Sequence, residues 1–268
     1  MASSECKDKH LVELNQSNGV SRILLNDTHK KNALSKAMLH CLISTLEGIA
    51  SDNKQKVVVI RGSGGVFCSG ADLDWMKDGI KQSHEENKKD AELFYHLFTT
   101  LFNFPKPVVI WVEKYAMGGA IGLLACADYV ISDLSAKMAF SEVKLGLVPA
   151  TISPFVIKKI GLSHCKALML TGSTFTAKYA RKIGLVQEVL QAKAIPQRIN
   201  ELVEQLKKNS SQAMSTTKEL LNTLVDTPHS FSETKERCCE VIATSRRTKE
   251  GQEGVTAFFE KRTPDWYQ

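Results

Sequence analysis

The stretch YAMGGAIGLLACADYV, Tyr115 to Val130, decides how this chain is read. An apolar strand gives way to an apolar helix at two adjacent glycines, Gly118 and Gly119. Neither end carries a lysine, a Ser–His pair or a set of metal ligands. A helix N-terminus presents unpaired N–H groups and a partial positive charge. Glycine lets another molecule come close to that backbone. The pair therefore fits two roles. It can allow close packing of helix on sheet, or it can offer a backbone N–H to a carbonyl oxygen, a bond that strengthens if charge develops on that oxygen. The glycines alone leave both open.

Outward from this junction the chain alternates. KVVVIRG is a continuous apolar run of the kind buried on both faces. AELFYHLFTTLFNF reads as an amphipathic helix stopped by Pro105, and PVVIWVEKYA as a second buried strand. DYVISD and AKMAF read as two short strands. Strand, helix, strand, helix, strand over Val57 to Phe140 predicts an α/β sheet with crossover helices. Upstream, LVELNQSNGVSRILLN predicts a hairpin turning at Asn18-Gly19. Ser35 is placed to cap a helix carrying Met38, Leu39, Leu42, Ile43 and Leu46 at helical spacing. The charged DGIKQSHEENKKDAE is expected to be an exposed segment. From Ser153 onward helices are expected to dominate, with no strand-rich region.

Composition bounds the function. The 268 residues are 43% hydrophobic and 24% charged, as in a soluble globular chain, and no apolar run is long enough to span a bilayer. The start, MASSECKDKH, has no signal-peptide pattern, so a bacterial cytoplasm or, after processing, an organelle matrix is expected. The net charge of +6 is scattered rather than banded and lacks interleaved aromatics, so no nucleic-acid partner is expected. A small polyanionic ligand fits the charge better. Seven cysteines (Cys6, Cys41, Cys68, Cys126, Cys165, Cys238 and Cys239) form no CxxC pair, which predicts reduced thiols rather than a zinc site. The histidines, His229 among them, have no ligand spacing, and no metal site is expected. GxGxxG, Walker, HExxH and GxSxG patterns are absent.

Two further stretches can carry chemistry. FCSGADLDWM, Phe67 to Met76, also follows a strand and places Gly70 before Ala71. It can supply a second backbone N–H, or it can be a plain strand-to-helix turn with Asp72 or Asp74 as cap. Glu142, in MAFSEVKLGLVP, follows an apolar strand. Buried, it would have a raised pKa and could move protons near neutrality; exposed, it would pair with Lys144.

Together these pieces resemble the enoyl-CoA hydratase/isomerase, or crotonase, superfamily. The resemblance runs from about Leu11 to Arg262 through NDTHKKNALS, VFCSGADLDWM, PKPVVIWVEKYAMGGAIGLLACADYVIS, AFSEVKLGLVPATISPFVIKKIG, LTGSTFTAKYARKIGLVQEV and AFFEKR, in that order. It implies a ββα spiral core over 1–195, a helical region over 196–268 that builds trimers or hexamers, and acyl-CoA substrates, with coenzyme A part of the substrate and no other cofactor. The oxyanion-binding amides match Ala71 and Gly119. Substrate-binding positions match Lys30, Lys31, Ala33, Leu34, Ser69, Asp72 and Leu73, with Gly118 and Gly122 at the junction. Phe258 and Lys261 match a pair that reaches the CoA of a neighbouring subunit.

Hydratases with two catalytic glutamates carry the first where this chain has Gly122 and the second at Glu142. One carboxylate is thus kept and its partner lost. GADLDWM and SEVKLGLVPATISPFVI look most like the 3-methylglutaconyl-CoA hydratase-like branch of leucine and isoprenoid catabolism. The alternatives are an enoyl-CoA isomerase, for which one carboxylate suffices, and a catalytically silent acyl-CoA- or RNA-binding protein.

Overall fold

The computed structural model describes residues 8, 10–226 and 230–267; the readings placed on Cys6 and His229 fall outside them. Strands β1 (Val12–Ser17) and β2 (Val20–Leu25) form the expected hairpin, pairing Ser17 with Val20. Asn18 and Gly19 both take positive φ, as a two-residue turn of this hand requires. Helix α1 (Lys36–Ser51) starts at Ser35, whose hydroxyl accepts from the Met38 amide, and it buries the five residues read as its apolar face. Strand β3 (Val57–Gly62) is the buried run KVVVIRG.

The next segment is exposed, as expected, and is also largely helical. Helix α2 (Leu73–Gly79) is followed by α3 (His84–Phe102), so most of the charged stretch is helical. Ser83 and Glu86 close a capping box, which starts α3 well before its apolar half. The second buried strand is in fact two. Strand β4 (Val108–Val112) ends before Lys114, which has φ 55°, and β5 (Tyr115–Met117) enters a different sheet. Then come α4 (Gly119–Cys126), β6 (Tyr129–Asp133) and β7 (Lys137–Ala139). Helix α5 (Ser153–Thr171) is broken at Gly161. Strand β8 (Phe175–Thr176), helix α6 (Ala177–Lys182) and strand β9 (Glu188–Leu190) follow. The two short strands lie in the region where helices were expected to dominate, and are too brief to show a period of two. Helices α7 (Ile195–Lys207), α8 (Ser211–Asp226), α9 (Phe231–Arg247) and α10 (Lys249–Glu260) complete the chain.

The larger sheet has the order β1-β2-β3-β4-β6-β9, parallel from β2 onward. Val58, Ile60, Val108, Ile110 and Val112 point to the side covered by α1, α3, α4 and α5. Val57, Val59, Val109 and Trp111 point to the other, where α7 lays Ile195, Ile199, Leu202 and Val203. This alternation is the period-two signature of a sheet buried on both faces. Cys41 is disulfide-bonded, against the expectation of free thiols. Cys68, Cys126, Cys165, Cys238 and Cys239 are free.

The smaller sheet, β5-β7-β8, positions the site. Parallel bridges extend it: Cys68 pairs with Ala116, and Leu34 with Ala71. Ala116 in turn pairs with Met138. Four separate segments thus run side by side in one direction.

Candidate active site

Cys68, Ala116 and Met138 stand in one row of this ladder. Ala71 and Gly119 each lie three residues beyond that row, and Glu142 four. The register therefore delivers the two predicted amides and the predicted carboxylate to the same end of adjacent segments. At Gly70 (φ 98°) and Gly118 (φ 49°) the backbone is left-handed immediately before each amide. Only glycine takes that conformation readily. At Gly70 there is no room for anything larger: a Cβ would sit 2.7 Å from the Met117 carbonyl oxygen. Neighbouring groups are spoken for. Leu34 N–H donates to the Gly70 carbonyl (2.7 Å), Asp72 N–H to the Leu34 carbonyl (3.2 Å), and Gly118 N–H to the Ala139 carbonyl (2.9 Å). The Ala71 and Gly119 amides donate to no backbone acceptor among the described residues. Gly119 is also the first residue of α4, where the N–H has no intrahelical partner.

Glu142 opens a 3-10 turn (Glu142–Leu145) that follows β7. Its Oε1 is 3.0 Å from where a Cβ on Gly118 would stand, so the side chain lies over the glycine pair. Its Oε2 is buried and has no hydrogen-bond partner among the described residues. Burial pushes its carboxyl above the ordinary glutamate value, a bond from its own backbone only partly opposing this. No pairing with Lys144 is formed. A carboxyl that is half-buried, unpaired and raised in pKa can exchange a proton with a molecule beside it.

Gly122 lies one turn further along α4, where the first glutamate of the resemblance would be. It is buried. A Cβ there would meet Ile152 Cγ2 at 2.5 Å and Phe98 Cε1 at 2.7 Å. Gly122, expected at the substrate, faces this apolar plug. Leu34, also expected at the substrate, is fully buried, its Cδ1 3.4 Å from a Cβ on Gly119.

Sequence reading missed an aromatic wall. Trp75 stacks on Phe94 with centroids 5.2 Å apart, Phe94 neighbours Phe98 at 6.3 Å, and Phe98 neighbours Phe155 at 6.0 Å. Phe94 Cε1 is 3.7 Å from a Cβ on Gly119, so the wall runs beside the glycine junction. Trp75 is fixed by its Nε1–H, which donates to Asp90 (2.7 Å), and Asp90 also pairs with Lys36. The signal was present: Phe94 and Phe98 are four apart on α3, a spacing read as core-facing periodicity alone.

Lys30, Lys31, Ala33, Ser69, Ala71, Asp72 and Leu73 do come together, with His29 and Asp74, around an open cavity of about 370 Å³. Phe258 and Lys261 are not among its lining residues. Phe258 is exposed on α10, which packs on α8 and α9, and Lys261 caps that helix with φ 56°. No group of three or more potential metal ligands occurs among the described residues. No helix among them is long and apolar enough to cross a membrane.

The family profile described as Enoyl-CoA hydratase/isomerase matches residues 15–268. A crystal structure of an enoyl-CoA hydratase from Shewanella pealeana superposes with a TM-score of 0.91 at 34% identity, over 99% of this chain and 100% of the other. The 2,3-dehydroadipyl-CoA hydratase of Escherichia coli is 28% identical over 91% of this chain and 93% of its own. The mitochondrial methylglutaconyl-CoA hydratase of Homo sapiens is 28% identical over 97% of this chain and 76% of its own. The chain belongs to the enoyl-CoA hydratase/isomerase family and has its crotonase fold.

Proposed function

We propose that the chain is an enoyl-CoA hydratase of the 3-methylglutaconyl-CoA hydratase-like kind, with Glu142 as its one acid/base. In this reading the thioester oxygen accepts from the Ala71 and Gly119 amides. Glu142, ionised, takes a proton from water as the water oxygen bonds to C3 of a 2-enoyl thioester. The electron pair of the double bond moves to the thioester oxygen, where the two amides stabilise the enolate. Glu142 then returns the proton to C2, and one water has been added. Coenzyme A enters as part of the substrate, and no other cofactor takes part. The observation that carries the reading is the buried Oε2 of Glu142, without a hydrogen-bond partner among the described residues, over the Gly118–Gly119 junction.

A second reading has its own support. Phe98 and Ile152 fill the space at Gly122, so no second carboxylate helps to hold water. A lone Glu142 would then carry a proton from C2 to C4 of a 3-enoyl thioester, an isomerisation.

Incubation with crotonyl-CoA, 3-methylglutaconyl-CoA and a 3-enoyl-CoA, followed by mass detection, separates the two. Gain of one water is expected; an unchanged mass with a moved double bond selects the isomerase. Glu142→Gln should abolish turnover while leaving acyl-CoA binding intact, and near-normal turnover in that variant refutes the role of Glu142. Trimer formation belongs to the same reading and is supported by exposed Phe231, Phe258 and Phe259 on the C-terminal helices. Light scattering should give a multiple of three chains.

A further inference from the structure

Lys30 sits in the cavity that the proposed function assigns to coenzyme A, where a lysine invites reading as a phosphate ligand. The structure engages it otherwise. Its Nζ donates to Asp72 Oδ2 at 2.7 Å and to Asp74 Oδ2 at 2.7 Å. Two carboxylates on one ammonium leave the cluster with no positive charge to spare for a phosphate.

Asp72 is the more telling partner. It is 2% exposed. Its Oδ1 accepts from the Asp74 amide (2.8 Å) and the Trp75 amide (3.1 Å), capping α2. Burial opposes its ionisation, but Lys30 and these amides hold its carboxyl below the ordinary aspartate value. Asp72 directly follows Ala71.

The backbone around Lys30 is tied to the same segment. The Lys30 carbonyl accepts from the Ser69 hydroxyl (3.0 Å), and the Lys31 carbonyl from the Ser69 amide (3.1 Å). The loop that carries Lys30 is itself pinned by buried Asn32, which donates to the Ser63 and Val66 carbonyls and accepts from the Asp27 amide. Ala71 is therefore clasped on both sides, through Ser69 and through Asp72, by one loop. Helix α2 beyond it has no fully buried residue; its Trp75 packs on Phe94, while the ion pair and caps of Asp72 hold its first turn.

We infer that Lys30 is a positioning residue: its ion pair with Asp72 latches the 27–34 loop onto the start of α2 and so aims the Ala71 amide at the thioester oxygen. The inference rests on the proposed use of that amide. A phosphate ligand and a latch differ in what they do to a substrate that has no CoA phosphates.

The test compares Lys30→Met with wild type on an enoyl-CoA and on the matching enoyl-pantetheine thioester, which lacks the nucleotide and its phosphates. A latch predicts that kcat falls about tenfold to a hundredfold on both substrates, with KM little changed, and that Lys30→Arg restores most of the loss. An effect confined to KM for the CoA substrate, with kcat on the pantetheine substrate unchanged, overturns the inference and makes Lys30 a phosphate ligand. If Lys30→Met does not fold, Lys30→Gln with Asp72→Asn removes both charges while keeping an oxygen to cap α2; the same two outcomes apply. Wild-type protein that turns over no enoyl thioester of either kind refutes the proposed function itself, a result distinct from turnover indifferent to Lys30.

Discussion

The two glycine junctions of the site are built alike and held differently. Gly70 and Gly118 both adopt left-handed backbone, and each is followed by an amide with no backbone acceptor among the described residues. Beyond Gly118, α4 is buried from Ala120 to Cys126, wedged between the sheet and α3 and α5. Beyond Gly70, α2 is short and lies on the surface. One amide is fixed by apolar packing, which hardly responds to charge. The other is fixed by ion pairs and side-chain caps, which do. The proposed oxyanion pair is thus assembled from two unlike supports on one shared register.

The comparison can be broken hardest at the packed junction. Gly119→Pro deletes the N–H at the first position of a helix, where proline is tolerated, and the space there is ordinary, 3.4 Å to Leu34 Cδ1. We expect kcat to fall about 10²–10³-fold with a melting temperature near wild type. Unimpaired turnover refutes the oxyanion role of this amide.

Next in size is the plug. Gly122→Ala should destabilise the protein by about 1–3 kcal/mol through overpacking against Phe98 and Ile152. In a Phe98→Ala background that cost should shrink, measured by urea denaturation as a double-mutant cycle. Costs that simply add disprove the contact. For the same reason Gly122→Glu alone should not raise hydration of an unbranched enoyl-CoA.

The pH profile sharpens the other side of the site. Burial raises the folded-state pKa of Glu142 above the ordinary 4.5. As a base it acts ionised, so kcat/KM should fall on the acid side with a midpoint above that value. The burial cost of the ionised form is present above the folded pKa and vanishes below the unfolded one. Glu142→Gln should therefore flatten this part of the stability profile. An acid limb at or below the ordinary value contradicts the burial.

The smallest effect is expected at the surface junction's outer partner. Asp74 is largely exposed, and Asp74→Asn should change stability by less than about 0.5 kcal/mol. A larger loss means that the outer ion pair, not Asp72, carries the latch.

Much of this was legible in the chain itself. Asn18-Gly19, Ser35 and the glycine junction announce their structures because local sterics and capping decide them. The glycine junctions and the carboxylate after an apolar strand left their roles open, and Ala71, Gly119 and Glu142 were assigned through the family resemblance. The helix over 84–91 was hidden because its charged residues carry no hydrophobic period, and only the Ser83–Glu86 box marks its start. The break between β4 and β5 was hidden because a left-handed lysine leaves no trace in the sequence. Phe98 lies on the helix read as amphipathic, but its position against Gly122 joins residues far apart in the chain that only the fold brings together. The pairing of Lys30 with Asp72 is of the same kind: two charges that each suit a ligand turn out to satisfy one another.

The common row through Cys68, Ala116 and Met138 has a further bearing on how such a chain can vary. The spans from that row to residues 71, 119 and 142 act as fixed rulers, since adding a residue to any one would carry its group past the other two and turn its backbone by half a pleat. The stretch between α2 and α3 measures nothing, and can lengthen or shorten without moving a single reacting atom.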